Sequence, residues 1–281
     1  MIYLNGHFLT ETEAKIDPAD RGFLLADGLF ETMKAYKGKI FYLEEHWQRF
    51  KKSAQFLDID IPVSRDELEK IIDDLLLKNN LLQENASVRL TLTRGNSPRG
   101  LLPPPNLKPT ILLAAFPCSA CIAKPISTYI VSIRRNEFSP LANIKSLNYL
   151  DNVLARKEAA NHFADEAILL NSKGNIVEAS AANIFVVTNA DKIITPALSE
   201  GALPGITRQI VINLAKKLNI PLFETSITLE DIEKSREIFL TNSLIGIQVA
   251  HMLNKQAMDI QNTTVKKLKI EYNEIIKKFN S

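Results

Sequence analysis

The spacing of apolar residues divides the chain into alternating and helical segments. Residues 88–92 alternate apolar and polar side chains, which is typical of a half-buried antiparallel strand. Trp47, Phe50 and Ala54 recur at helical spacing and indicate a helix with one buried face. In the first part of the chain these patterns predict strands near 1–8, 35–42, 87–93 and 110–116, and helices over 44–57 and 64–78.

The second part of the chain carries a similar mixture of elements. Its apolar positions predict strands near 126–134, 167–170, 184–187 and 237–243, and helices over 147–162, 206–218, 229–235 and 264–279. We therefore expect a small α/β lobe over 1–117, a linker over 118–124 and a larger lobe over 125–281. Because pockets favour domain interfaces, we expect a ligand site between the lobes.

Composition and charge exclude several classes of function. The 281 residues are 46% hydrophobic and 23% charged, which is ordinary for a globular protein, and a net charge of +2 gives no reason to expect nucleic acid. No apolar run could span a membrane and the first residues do not resemble a signal peptide, so we expect a cytoplasmic enzyme.

Cys118 and Cys121 are spaced like a redox or zinc pair. No second Cys or His pair accompanies them, so we expect a linker and no metal site.

Lys145 lies in a run that does not look like ordinary surface. It follows the apolar, turn-like segment 139–143 and precedes the predicted helix over 147–162. A lysine held partly out of water at such a junction loses some preference for its charged form, so its amine can act as a nucleophile or base. Schiff-base chemistry with an aldehyde cofactor has this requirement, although a solvated surface lysine is the more common arrangement.

Two charged residues could complete such a site. Glu178 lies among small residues between two predicted strands, where a carboxylate could face a pyridinium nitrogen, or could simply occupy a loop. Arg49 lies beside the apolar stripe of helix 44–57. It could reach inward as a fork-shaped phosphate donor, or could pack its stem on the core as a surface arginine.

Two other segments could bind a phosphate group. The segment 203–208 opens a predicted helix, whose first amides lie beside a glycine and the Thr207 hydroxyl. The alternative is a plain Pro-Gly turn. The strand near 237–243 ends in Thr241 and Asn242, which could form a second edge of the phosphate site or a strand-ending turn.

Together these segments resemble the class IV aminotransferase family, fold-type IV enzymes that use pyridoxal 5'-phosphate. The resemblance begins at residue 2 and extends to the last helix, with the motifs in the same order. It implies an α+β fold of two lobes, in which a small α/β N-terminal lobe precedes a larger C-terminal lobe with a mixed, barrel-like sheet. It also implies that Lys145 carries the cofactor aldehyde and later moves protons, and that Glu178 pairs with the pyridine nitrogen. The phosphate would be held by Arg49, Thr207, Thr241, Asn242 and the backbone amide of Ile206.

The substrate side departs from two branches of this family. In D-amino acid aminotransferases the loop that corresponds to 93–102 carries an Arg-x-His pattern. This chain keeps Arg99 but has Leu101 where that histidine would fall. It also has Phe30 where those enzymes use a tyrosine. Branched-chain enzymes commonly show Phe-Glu-Gly in the loop over 27–34 and a tyrosine five residues after the lysine. The corresponding residues here are Thr32 and Leu150.

The Phe-Glu-Thr pattern at 30–32, followed by Arg99, is most similar to aminodeoxychorismate lyases. We therefore expect a lyase that converts 4-amino-4-deoxychorismate to 4-aminobenzoate and pyruvate, with Phe30, Thr32 and Arg99 on the substrate side. A D-amino acid or branched-chain aminotransferase is the alternative. A non-catalytic binding protein is a second one, although retention of the full set of cofactor residues argues against it. The resemblance further implies a homodimer, in which the Arg99 loop of one subunit completes the site for a small amino substrate in the other.

Overall fold

The computed structural model describes residues 1–118, 124–260 and 263–280. Within them the chain forms two compact units: residues 1–118 with 144–148, and residues 124–143 with 149–279. The segment that carries Lys145 therefore groups with the first unit, although the sequence had suggested the second. Most of the predicted linker 118–124, including Cys121, lies outside the described residues.

The first unit contains one antiparallel sheet and three helices among the described residues. The strands are β1 (Ile2–Leu4), β2 (His7–Leu9), β3 (Gly28–Tyr36), β4 (Lys39–Ile40), β5 (Asn85–Thr93) and β6 (Thr110–Pro117), in the order β2-β1-β6-β5-β3-β4. The helices are α1 (Arg21–Leu25), α2 (Leu43–Phe56) and α3 (Arg65–Lys78). Alternate residues of β3, such as Leu29 and Met33, pack in a core with Phe50 of α2 and Leu75 of α3. Phe30 and Thr32, which alternate with them on β3, therefore face the opposite side of the sheet.

Two predicted strands are wrong, because each contains a turn. The predicted strand over 1–8 is a hairpin, since Asn5 and Gly6 have φ angles of 48° and 95°. The prediction over 35–42 crosses a second hairpin, whose turn residues Lys37 and Gly38 have φ angles of 47° and 83°. Two consecutive residues with positive φ match the twist of the flanking strands and reverse the chain. The segment 27–34, predicted as a loop, is mostly strand β3.

The second unit contains a mixed sheet of nine strands among its described residues. They are β7 (Ile126–Arg135), β8 (Glu166–Asn171), β9 (Ile176–Ala179), β10 (Asn183–Val187), β11 (Ile193–Thr195), β12 (Leu222–Glu224), β13 (Glu237–Asn242), β14 (Gly246–Leu253) and β15 (Gln256–Ala257). Their order is β12-β11-β10-β13-β14-β7-β8-β9, with β15 beside β14. The pairs β11–β12, β14–β7 and β7–β8 are parallel, and the other pairs are antiparallel. These two sheets confirm the predicted α+β class.

The helices of the second unit are α4 (Leu150–Asn161), α5 (Ile206–Lys217), α6 (Leu229–Glu233) and α7 (Thr263–Asn280), with a short 3₁₀ helix at Leu198–Glu200. The helix predicted over 147–162 begins only at Leu150, because the Leu147 amide bonds to the Gly28 carbonyl instead. Across the described part of the chain, no helix has the length and apolar character that crossing a bilayer requires.

Candidate active site

Lys145 lies in a short extended segment that is attached to the edge of β3 by backbone hydrogen bonds. The Phe30 amide donates to the Lys145 carbonyl at 2.9 Å, and the Leu147 amide donates to the Gly28 carbonyl at 3.0 Å. A Cβ on Gly28 would lie 2.8 Å from Leu147 Cδ1 in this segment and 2.4 Å from the Leu92 carbonyl oxygen of β5, so only glycine permits this close approach. The half-buried Lys145 side chain extends over Phe30, with Nζ 4.2 Å from the ring centroid.

The sheet face beneath Lys145 carries an aromatic ring, a hydroxyl and a guanidinium. Phe30 and Thr32 are two residues apart on β3 and therefore share a face. Arg89 of β5 lies directly opposite Thr32, and its Cζ is 3.8 Å from the Phe30 ring centroid. The structure thus groups Lys145 with the predicted Phe30 and Thr32, and adds Arg89. The alternation over 88–92 predicts that the Arg89 side chain points away from the core. Only its pairing with Thr32 shows that it lies on the face that carries Phe30.

Arg49 is oriented by a buried carboxylate on the helix-facing side of the same strand. Glu31 receives Arg49 Nε on Oε1 and Nη2 on Oε2, both at 2.8 Å, and His46 Nδ1 lies 2.7 Å from Oε2. Burial alone would raise the pKa of Glu31, but Arg49 and His46 overcome this effect and hold the pKa well below its usual value. Glu31 was not among the predicted site residues, yet it fixes the plane of the Arg49 guanidinium.

Arg99 lies in the exposed loop between β5 and β6, and this loop is tethered on one side. Buried Arg21 donates from Nη1 to the Gly100 carbonyl and from Nη2 to the Leu101 carbonyl, each at 2.8 Å. Its Nε donates to Asp27 Oδ2 at 2.7 Å. Burial raises the pKa of Asp27, but hydrogen bonds from two arginines reverse this effect and hold it below its usual value. Arg99 itself makes no contact with the Lys145 face that the described residues record.

Glu178 is a buried carboxylate on β9 in the second unit. Its Oε2 accepts a hydrogen bond from the Leu203 amide at 2.9 Å. Its Oε1 lies 3.4 Å from Nη2 of Arg135, at the end of β7. A carboxylate held by an amide and a guanidinium is favoured in its charged form, as pairing with a protonated ring nitrogen requires.

The start of α5 offers backbone amides to an anion. Gly205 is the N-cap residue of α5, and no side chain within the described residues caps this helix. The amides of Ile206 and Thr207 therefore lie outside the helical hydrogen-bond ladder and at the positive end of the helix dipole. A Cβ on Gly205 would lie only 1.9 Å from Asn183 Oδ1, so the close packing at this turn excludes a larger residue.

Thr241 supplies a hydroxyl on the strand next to this turn. It lies directly opposite Asn183 in the β10–β13 register, and Asn183 packs against Gly205. Thr241 Oγ1 is buried and has no hydrogen-bond partner within the described residues. A buried hydroxyl in this state is costly unless a ligand accepts from it.

Asn242, which follows Thr241, uses its side chain to hold the next turn. Its Nδ2 donates to the Ala181 carbonyl at 3.0 Å, and its Oδ1 accepts from the amides of Leu244 and Ile245 at 3.0 and 2.9 Å. These contacts give Asn242 a role in shaping the turn beside Thr241.

These donor groups fit pyridoxal 5'-phosphate. The uncapped amides of α5 and the buried Thr241 hydroxyl are the donors that a phosphate ester accepts from. Glu178 is a carboxylate of the kind that pairs with a pyridine nitrogen, and Lys145 is an amine held against an aromatic ring. Each group therefore has the chemistry that one part of the cofactor requires.

Comparisons with known proteins agree with this cofactor. Residues 28–251 match the protein family described as amino-transferase class IV. A candidate branched-chain-amino-acid aminotransferase of Methanocaldococcus jannaschii is 39% identical over an alignment of 282 residues, which covers 98% of this chain and 96% of that protein. The aminodeoxychorismate lyase of Bacillus subtilis is 34% identical over an alignment of 253 residues, which covers 88% of this chain and 84% of the lyase.

The solved structures that resemble this chain include the branched-chain aminotransferase of Thermoproteus uzoniensis with norvaline. Its TM-score is 0.89 at 30% sequence identity, and the match covers 98% of this chain and 94% of that one. The predicted fold type is therefore confirmed.

Proposed function

We propose that this chain, which belongs to the class IV aminotransferase family and uses pyridoxal 5'-phosphate, is a lyase that converts 4-amino-4-deoxychorismate to 4-aminobenzoate and pyruvate. The observation that carries the proposal is the position of Thr32. Its β-carbon shares a sheet face with Phe30, whose ring contacts the Lys145 amine. A hydroxyl on this face can orient the enolpyruvyl oxygen of the substrate, which a glycine at the same position could not do.

The substrate carries two carboxylates, and two arginines are candidates to bind them. Arg89 stacks on Phe30, on the face that carries Lys145. Arg99 is exposed on the neighbouring loop, as a residue that serves the site of a second subunit must be. A planar guanidinium binds a carboxylate through two parallel hydrogen bonds and so fixes its orientation.

The reaction requires two proton movements that one amine can perform. Bound pyridoxal phosphate supplies an aldehyde that links to the substrate nitrogen and a ring that accepts electron density. The Lys145 amine takes the proton from the substrate carbon that bears this nitrogen. The electron pair of the broken C–H bond forms the last double bond of the aromatic ring as the C–O bond to the enolpyruvyl group breaks. The Lys145 ammonium then returns a proton to the methylene carbon of the departing enolpyruvate, which leaves as pyruvate.

The experiment that tests this proposal compares three substrates with the purified holoenzyme. We expect 4-aminobenzoate and pyruvate in equal amounts from 4-amino-4-deoxychorismate, and little conversion of D-alanine or L-leucine with 2-oxoglutarate. Thr32→Gly should lower the lyase kcat by roughly 10-fold to 100-fold and leave cofactor absorbance unchanged, whereas Lys145→Ala should abolish both. Rapid amino transfer from either amino acid without 4-aminobenzoate would overturn the lyase assignment.

An aminotransferase is the second candidate, and one observation favours it. The relative with 39% identity over almost the whole chain is named for branched-chain amino acids. In that case Arg89 would bind the single substrate carboxylate, and Thr32→Gly would raise the rate with L-leucine. A colourless protein whose Lys145 takes no label after borohydride reduction would favour the non-catalytic alternative instead.

We also propose that the chain acts as a homodimer in which each Arg99 loop completes the partner's site. Exposed Leu150, Val153 and Leu154 follow helical spacing on α4, and such an apolar stripe is costly in water. Mixing Lys145→Ala with Arg99→Ala subunits tests the arrangement, because one intact site per heterodimer should restore activity up to about a quarter of wild type. No recovery beyond either variant alone would reject shared sites. The cytoplasmic location stays a prediction.

A further inference from the structure

The Arg135 side chain contacts three separate segments of the second unit. Its Nη2 donates to the Ala142 carbonyl at 2.9 Å, three residues before Lys145 in the chain. The same nitrogen lies 3.4 Å from Glu178 Oε1. Its Nε donates to the carbonyl of Gly201 at 3.4 Å, which lies just before the loop that leads to α5.

The local backbone is fitted to this arginine. Gly201 has a φ of 100°, and a Cβ there would lie 3.4 Å from Arg135 Cγ and 3.2 Å from the Glu137 Cα. A side chain at position 201 would therefore be strained and crowded. The guanidinium is mostly buried, so its charge acts on Glu178 through little intervening water.

The two oxygens of Glu178 have different neighbours. Leu203 N–H donates to Oε2, which fixes the rotation of the carboxylate, and Arg135 lies beside Oε1. A positive charge here favours the carboxylate form of Glu178 over its protonated form. A proton shared between this carboxylate and a ring nitrogen would then be displaced towards the nitrogen, because the Arg135 charge stabilises the carboxylate.

We propose that Arg135 is a positioning residue that keeps Glu178 charged and thereby holds the proton of the pair on the cofactor ring nitrogen. The inference rests on the proposed role of Glu178 as partner of that nitrogen. It applies equally to a lyase and to an aminotransferase, because both need a ring that accepts electrons. Arg135 would control the protonation of the ring nitrogen without contacting the substrate.

The test uses holoenzyme loaded with pyridoxal phosphate that carries ¹⁵N in the ring. In the wild type the ¹⁵N resonance should stay at its protonated position at neutral pH. Arg135→Gln should move it towards the unprotonated position and lower kcat roughly 10-fold, with little change in KM. Arg135→Lys keeps a charge but loses the forked contacts, so it should give an intermediate shift and also serves if the glutamine variant folds poorly.

Arg134→Gln is the matched control, because it removes the same charge from the adjacent residue. Arg134 is exposed and donates to the carbonyls of Val131 and Ser132. Its variant should keep the wild-type resonance. If Arg135→Gln and Arg135→Lys also keep it, the inference is wrong.

Glu178→Gln separates the role of Glu178 from that of Arg135. It should move the ¹⁵N resonance to the unprotonated position. If Glu178→Gln has no such effect, the proposed role of Glu178 fails, and with it this inference. If Glu178→Gln moves the resonance and the Arg135 variants do not, only the role of Arg135 fails.

Discussion

Arg49 and Glu31 form a two-point ion pair across the packing between α2 and β3. The Nε–Oε1 and Nη2–Oε2 distances are both 2.8 Å, and both side chains are largely buried. This parallel arrangement fixes the plane of the guanidinium, so that Arg49 cannot rotate independently of β3. Phe30 is adjacent to Glu31 on β3. The same strand therefore positions Arg49, which is predicted to bind the phosphate, and the aromatic ring under Lys145.

Replacing Glu31 by glutamine should therefore affect both stability and cofactor binding. Arg49 would keep its buried charge without a compensating carboxylate, which costs about 3 kcal/mol in the free energy of unfolding. We expect this loss in urea denaturation at pH 7, together with weaker binding of pyridoxal phosphate in a fluorescence titration. Glu45→Gln, at an exposed position of the same helix, is the control and should change neither quantity.

The pH dependence of this effect has a defined sign. The pKa of Glu31 is lower in the folded chain than its usual value of 4.5. Below pH 4.5 the unfolded chain therefore binds more protons at this residue, and the stability that Glu31 contributes is lost as the pH falls. The difference between wild type and Glu31→Gln should shrink as the pH falls below 4.5. A constant difference from pH 7 to pH 3 would contradict the assigned ion pair.

Removing the Arg21 tether should loosen the loop that carries Arg99. Arg21→Lys cannot reproduce the hydrogen bonds to the Gly100 and Leu101 carbonyls, so the loop should open more often. We expect trypsin to cut after Arg99 roughly 10-fold faster and the KM of a carboxylate substrate to rise more than kcat falls.

Arg94→Lys is the comparison variant for this experiment. Arg94 shares the Asp27 carboxylate with Arg21, but its other donors bind the carbonyls of Leu57 and Asp58. Arg94→Lys should lower the melting temperature without speeding cleavage after Arg99. Equal cleavage rates for the two variants would mean that the Arg21 hydrogen bonds do not specifically restrain the loop that carries Arg99.

The longer helices could be predicted from the sequence because their signals are local. Helix α3 was predicted over 64–78 and begins at Arg65, where the Ser64 side chain and Glu67 form a capping box. Helix α5 was predicted over 206–218 and occupies Ile206–Lys217. In both, a regular apolar face and a recognisable first turn lie within a few residues of each other.

The remaining features depend on contacts between distant residues. The short extension at Lys145 forms because β3 has an open edge and Gly28 allows close approach, which no pattern around residue 145 records. Arg89 gains its position from strand register, and Arg135 gains its position from Glu178 and the Gly201 carbonyl, which are far away in sequence. The residue types of the candidate site were therefore predictable, but the side chains that orient them were not.

A buried glutamate at the start of β13 should destabilise the chain at neutral pH. Glu237 is 1% exposed, and burial raises its pKa from 4.5 to about 7; Arg236 opposes the rise, while Asp259 and Asp191 add to it. Between pH 4.5 and 7 the folded chain binds more protons here than the unfolded chain, so stability falls as the pH rises. Glu237→Gln removes this cost.

We therefore expect Glu237→Gln to match wild type in urea denaturation at pH 4.5 and to be more stable at pH 8, by about 1–3 kcal/mol. Glu233→Gln, at an exposed position on α6, should show no such trend. If the gain at pH 8 is no larger than that at pH 4.5, the raised pKa of Glu237 is wrong.

The packing of Gly205 against Asn183 gives a test of the phosphate site that does not depend on the substrate. Gly205 has a φ of −71°, so alanine costs no backbone strain there, but its Cβ would overlap Asn183 Oδ1. Gly205→Ala should lower the free energy of unfolding by about 2 kcal/mol and move the first amides of α5. Pyridoxal phosphate should then bind at least 10-fold more weakly, measured by equilibrium dialysis. Adding Asn183→Ala removes the overlapping atom and should restore much of the affinity. Normal binding by Gly205→Ala alone would place the phosphate away from α5.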